Sequence, residues 1–249
     1  MAQVTVDATV FTPENNTTPD IDTWTTGNDL TANANELTLV FVYFDIARND
    51  ADNQDWEGND PTLTDEFGEF TWTIFGQTNY DFTTYGIRMT CFVGVAPASP
   101  TPGTLTITAP TGYDWGNIGV AAVCCPNADT GNGGQDAIGA HVANVTKSYS
   151  DPETVTFSGG QTTNSALICC AAKTGGITTL TPDGDWTEKW DNGLSGSFAF
   201  AGQAREAADT TCEVNFDTTS GSFTALGVEV LAAAGGPTGV VVTALGDIQ

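Results

Sequence analysis

The sequence predicts an all-β protein: a single large β-sandwich, jelly-roll-like, with extended N- and C-terminal arms. Three observations predict it. Thr fills 41 of 249 positions, and Thr, Val, Ile, Phe, Tyr and Trp favour strands. Gly, Asn, Asp and Pro recur between the apolar runs and read as turns. No segment places apolar residues at i, i+3, i+4 and i+7 over three turns, so almost no helix is expected. A chain of this length can bury a core without disulfide or metal staples.

In chain order, residues 1–35 are polar and turn-rich and read as an arm or lead-in with one short strand at Val4–Val10. The first strong strand is Leu37–Ile46. Its run "LTLVFVYF" is apolar on both faces, as a central strand covered on both sides requires. Phe70–Gly76 alternates Phe70, Trp72 and Ile74 with Thr, and Ile87–Val95 is a third strand. Gly103–Ala109 alternates cleanly, with Leu105 and Ile107 inward and Thr outward. Gly116–Cys125 is again two-faced. The glycine-rich stretch Asp129–Asp136 reads as a mobile hairpin tip. Further strands follow at 140–146, Glu153–Ser158, Ser165–Ala172, Gly184–Trp190, Gly196–Gly202, Thr211–Asp217 and Ser222–Ala233. Roughly a dozen short strands at this spacing are the pattern of a sandwich or barrel. The expected organisation is an N-terminal arm at 1–35, a sandwich at 36–233 and a C-terminal arm at 234–249. The tail "AGGPTGVVVTALGDIQ" opens on a Gly-Gly-Pro break, and its short apolar run suits addition to a neighbour's open sheet edge.

The charge is extreme. Thirty-one carboxylates face six Lys or Arg, for a net charge of −25. Such a chain repels nucleic acid and anionic membrane surfaces. Self-repulsion also destabilises the compact state unless salt screens it, so a saline setting is expected. The start "MAQVTVDATVFTPENN" lacks a basic and an apolar region of the signal-peptide kind, and no apolar stretch is long enough for a membrane helix. The chain is expected to be soluble and made in a cytoplasm.

Six cysteines, Cys91, Cys124, Cys125, Cys169, Cys170 and Cys212, include two adjacent pairs. The pairs lack zinc spacing. Neighbours on a strand point to opposite faces, so each pair sends one thiol to each side. Small buried hydrophobes are the expected role; a disulfide between paired strands is the alternative.

Four stretches carry residue types that could support chemistry. The acidic loop "DIARNDADNQDWEGNDP" carries Asp50, Asp52, Asp55, Glu57 and Asp60. Read from Asp50 it matches an EF-hand at Asp50 and Asp52 but fails at Gln54, Asp55 and Pro61. It reads as a solvated loop, with a looser Ca2+ or Na+ site as the alternative and no other cofactor expected. "DGDWTEKW" clusters Asp183, Asp185 and Glu188, but "TPDG" signals a turn that takes Asp183 off the strand, so paired-carboxylate glycoside chemistry is not supported. His141, the sole histidine, has no nucleophile motif beside it and reads as a structural sheet residue. Asp129–Asp136 lacks the lysine and helix of a phosphate cradle. The Asn15, Asn16 and Asn144 sequons carry little weight in a Thr-rich chain. No enzyme is expected.

Several stretches together carry a resemblance: "NELTLVFVYF", "PTLTDEFGEFTWTIF", "YGIRMTCFVGV", "GTLTITAP", "NIGVAAVCC", "ETVTFSG", "GDWTEKWD" and "GVEVLAA", in that order across about residues 36–233. The chain resembles β-sandwich structural proteins of tailed bacterial and archaeal viruses. It departs from them at Gly184-Asp185-Trp186-Thr187, where Asp is inserted, and at Cys125-Pro126, where a glycine often follows the strand. The resemblance implies a virion component without chemistry of its own: a decoration or minor capsid protein whose partners are the major capsid protein and copies of itself, as a homotrimer. A tail module recognising host glycan is the alternative, with Trp56, Trp115 and Trp190 as candidate platforms, although core or loop packing is the favoured role of these aromatics.

Overall fold

The computed structural model describes residues 2–11, 14–15, 23–47, 60–81, 85–110, 116–146, 149–158, 162–175, 179–194, 198–207, 209–217 and 220–234. The chain is all-β and sandwich-like, as the sequence predicts. Its strands are β1 (Asp7–Val10), β2 (Glu14–Asn15), β3 (Thr23–Thr25), β4 (Leu37–Ala47), β5 (Thr62–Asp65), β6 (Thr73–Asp81), β7 (Tyr85–Val95), β8 (Leu105–Thr108) and β9 (Asn117–Cys125). A short 3-10 segment (Gly131–Ala137) leads into β10 (Ile138–Thr146), β11 (Glu153–Thr156), β12 (Ala166–Thr174), β13 (Leu180–Thr181), β14 (Thr187–Leu194), β15 (Phe198–Arg205), β16 (Thr211–Phe216) and β17 (Phe223–Val230).

These strands form four sheets in four layers. Two larger sheets, ordered β1-β9-β4-β7-β6 and β10-β17-β12-β15-β14, face each other. Between them lies the central core, with Leu37, Leu39, Phe41 and Tyr43 of β4 against Ile168 and Cys170 of β12 and Trp190, Phe198 and Phe200. On the outer face of the first sheet lies β3-β8-β5, and on the outer face of the second lies β11-β16-β13. Each outer layer encloses its own core: Trp24, Leu63, Leu105 and Ile107 over Val40, Val42 and Phe44 in one, and Val155, Val214 and Phe216 over Leu167, Ala199 and Phe223 in the other. This explains why β4, β9, β12 and β17 are apolar on both faces: each is sandwiched between two cores.

The two halves repeat one topology. Leaving aside the two-residue β2, which pairs with β9 off the main path, each unit has eight strands, and both larger sheets run 1-8-3-6-5 and both small sheets 2-7-4. This is a jelly-roll order with the fifth strand carried on the larger sheet. The match reaches single residues. Leu37 pairs with Cys125 and Ala166 with Val230 at the same rung. Four residues further on, Phe41 pairs with Cys91 and Cys170 with Gly202, and there both edge strands bulge, β6 between Ile74 and Gly76 and β14 between Glu188 and Trp190. Asn35 and Asn164, each two residues before its strand, adopt positive φ of 58° and 70°. The same Thr-Leu-Thr opens the turn that ends at positive-φ Gly68 or Gly184. Across the molecule β6 lies against β10 and β1 against β14, an exchange of equivalent edges that relates the units by a pseudo-two-fold axis.

Several expectations meet a different geometry. Val4, Val6, Phe11, Trp24 and Leu30 of the first 35 residues are buried in the cores, and β1 pairs with β9 along Asp7–Val10. The stretch Asp129–Asp136, expected to be a mobile tip, is instead a 3-10 segment anchored at buried Gly134, with Asn132, Gly133, Gln135 and Asp136 exposed. Gly134 is buried at φ +90°, where a Cβ would sit 2.5 Å from Leu37 Cδ1, so the glycine lets the backbone cap the end of the central core. Residues 235–249 lie outside the described residues.

Candidate functional site

Of the acidic-loop residues, Asp50, Asp52, Asp55 and Glu57 lie outside the described residues. Asp60 is placed where the loop re-enters the fold. It accepts hydrogen bonds from Arg88 Nη2 at 2.7 Å and Gln77 Nε2 at 2.9 Å. Its carboxyl is held below the usual range, by the Gln77 hydrogen bond and then by the Arg88 guanidinium. Arg88 is fully buried on β7 while Asp60 is half exposed. The pair thus ties the returning end of the loop to the first unit.

The second unit places its buried cation at the matching rung. Phe44 pairs with Arg88 in one unit and Lys173 with Ala199 in the other, so the cation changes strand but not level. Lys173 lies 5.7 Å from the Tyr149 ring centroid, and burial lowers its pKa. Tyr149 donates to the Val214 carbonyl at 2.8 Å and accepts from the Phe216 amide at 2.6 Å, and burial raises its pKa.

The carboxylates near "DGDWTEKW" do not converge. Asp183 sits in the predicted turn: its carbonyl accepts from Trp186 N at 2.6 Å and its carboxylate from Glu213 N at 2.9 Å. Asp185 is exposed and pairs with Arg205 at 3.3 Å. Glu188 is raised by burial and by nearby Asp191, and Asp191 accepts from Leu180 N at 3.0 Å. Arg205, Lys189 and Glu206 line an open pocket of about 500 Å³, but Arg205 is already paired with Asp185 and Asp209, and Lys189 with Glu206. Among the described residues, no three His, Cys, Asp or Glu side chains group as metal ligands, and no helix is long and apolar enough to cross a membrane.

His141 is exposed on β10, edge-on to Phe75 with ring centroids 6.1 Å apart. Trp190, a candidate glycan platform, is 4% exposed and packs in the central core against Phe41 and Phe200. That burial removes it from the surface, because its bulge partner Gly202 leaves room for the indole to lie over the backbone. Trp56 and Trp115 lie outside the described residues. All six cysteines are buried free thiols. Cys124 faces the first outer core and Cys125 the central core, while Cys169 faces the second outer core and Cys170 the central core. The predicted opposite facing holds, and both faces prove to be interior. Burial, then the neighbouring Glu36, pushes the Cys124 thiol up to about 12.

Two structural carboxylates escaped the sequence reading. Glu229 is 3% exposed and accepts from Thr162 N and Oγ1 and from Ala140 N. Glu36 accepts from the Asn33 amide and side chain. The only sequence signal for either is a carboxylate inside or beside a strongly apolar run. No family model, curated protein or solved structure matches the chain.

Proposed function

We propose that this chain is a non-enzymatic virion structural protein, a capsid decoration or minor capsid protein that binds the capsid surface and stabilises neighbouring subunits. Its partners are the major capsid protein and further copies of itself, as the homotrimer that the resemblance implies. The observation that carries this is how the chain spends its buried groups. Three stacked cores consume both faces of the inner strands. Among the interior polar side chains, Glu36, Glu229, Arg88 and Tyr149 close turns or pin strands. Such a body offers rigid surface and edges, and binding by burial and edge pairing follows from that. The resemblance of the motif order to β-sandwich structural proteins of tailed viruses supports the same reading. The −25 charge requires screening wherever copies sit side by side, which suits assembly in a saline medium.

Quantitative mass spectrometry of purified particles tests this. A decoration protein is present in numbers matching the capsid lattice; a chain recovered only in tail-sized numbers, or absent from particles, overturns the reading.

A further inference from the structure

The second outer core brings together two thiols from facing layers. Cys169 belongs to β12 in the larger sheet and Cys212 to β16 in the small one, and both are buried in the same core. Cys169 stands directly opposite Gln203 across the β12–β15 ladder, so the two side chains share a face. Gln203 Nε2 donates to the Cys212 sulfur at 3.1 Å. The Cys169 thiol is itself a hydrogen-bond partner of Cys212. Gln203 is held in turn: its Oε1 accepts from Asp183 N at 2.9 Å, and its Nε2 also donates to the Glu213 carbonyl at 2.8 Å. The larger sheet crowds the pair little. On its other side Cys169 faces Gly227, and the next rank on that face is Ala225, Ala171 and Ala201.

The fold does not require this pair. At the matching level the first unit has Val40, between Ala122 and Phe92. Among the described residues, the first outer core contains one cysteine, Cys124.

We propose that Cys169 and Cys212 are a redox-sensitive pair that closes to a disulfide between the two layers, with a small-molecule disulfide such as oxidised glutathione as the oxidant, and so braces the second unit. The two residues lie on facing sheets, not on paired strands. One protein thiolate attacks a sulfur of the reagent, the reagent's S–S bond breaks, and one glutathione leaves. The second protein thiolate attacks the protein sulfur of that mixed disulfide and releases the other glutathione. Two protein S–H bonds are lost, one S–S bond is gained, and the two protons end on the two glutathione thiols. Both sulfurs are buried, and burial keeps the Cys212 thiol protonated, so the exchange is slow. It proceeds through openings of the small sheet, whose strands β11, β16 and β13 are only four, six and two residues long. Once formed, the bond closes a loop of about forty residues and restricts the unfolded chain. This pair is independent of the virion reading above.

The test holds the full chain with oxidised glutathione at about pH 8.5, without denaturant, and maps its peptides by mass spectrometry without reduction. The expected product is a Cys169–Cys212 linked peptide, with Cys91, Cys125 and Cys170 still free. The urea midpoint should rise by roughly 1 M and fall back on reduction. Cys212→Ser, which leaves Gln203 a hydrogen-bond acceptor, should give neither link nor shift. Cys91→Ala, in the central core, should still form the link. Six free thiols in the treated wild type overturn the proposal. So does a link that maps to another pair, a glutathione adduct that never resolves, or a link that leaves the midpoint where it was.

Discussion

Raising the pH should unfold this protein through its thiols. Cys91, Cys125 and Cys170 are wholly buried and held protonated well above the ordinary thiol range, by desolvation first and by neighbouring thiols or carboxylates second. Cys124 and Cys212 are raised by the same cause. In the unfolded chain all five ionise near pH 9. A group with a raised folded pKa contributes stability that is complete below the unfolded value and is lost as pH rises above it. Each thiol therefore contributes a slope approaching about 1.4 kcal/mol per pH unit once the unfolded thiol ionises. Tyr149, whose folded pKa burial also raises, adds to this loss above its unfolded value of 10, while Lys173, whose folded pKa is lowered, acts in the opposite direction below its unfolded value of 10.5. The net slope above pH 9 is then about 5 kcal/mol per pH unit, enough to consume an ordinary domain stability of about 5–15 kcal/mol within two or three units. Urea denaturation at constant ionic strength from pH 7 to 10.5 measures this directly. Cys125→Ala and Cys170→Ala should each flatten the alkaline slope by about one proton's worth, at the cost of a small cavity that is independent of pH. A stability that stays level to pH 10.5, or a slope untouched by either substitution, refutes the reasoning.

Other outcomes follow from the same geometry. Gly134→Ala should cost about 2–4 kcal/mol, since it adds positive-φ strain to overlap with Leu37 and Val93; a loss under about 0.5 kcal/mol would mean the loop is not packed as described. Trp190→Ala should cost about 3–5 kcal/mol in one cooperative transition, because the indole bridges the units through Phe41 and Phe200; separate melting of two halves would contradict a shared core. Asp60→Asn should cost less than about 1 kcal/mol, because its carboxylate is half exposed. The carboxylate's contribution is present above the ordinary Asp pKa and fades as pH falls below it. Lowering salt to about 10 mM, where screening extends to roughly 30 Å, should lower the melting temperature; an unchanged midpoint removes the case for a saline setting.

The long strands were legible because burial on both faces leaves no polar gaps. Leu37–Ile46 was expected and Leu37–Ala47 is found, and Ile87–Val95 extends only to Tyr85. The shortest strands were not. Thr62–Asp65 and Leu180–Thr181 are too brief to show a period and are strands only because β8 and β16 pair with them. The duplication was hidden because the units share backbone devices rather than side chains. Leu37 stands opposite Cys125 where Ala166 stands opposite Val230, and the buried cation swaps strands between Arg88 and Lys173. Core packing is the favoured reading of Trp190, but the place it fills was not legible, because nothing local shows that Gly202, twelve residues on and across a bulge, makes room for it.

The most direct test of the central claim, that this doubled sandwich serves attachment rather than bond-making, is a symmetry-resolved image of whole particles at side-chain resolution. The expected density is a four-layered β-body repeating over the capsid surface and bridging neighbouring shell subunits. A body confined to the tail, or a cleft in which carboxylates close on a bound sugar or ion, would contradict it.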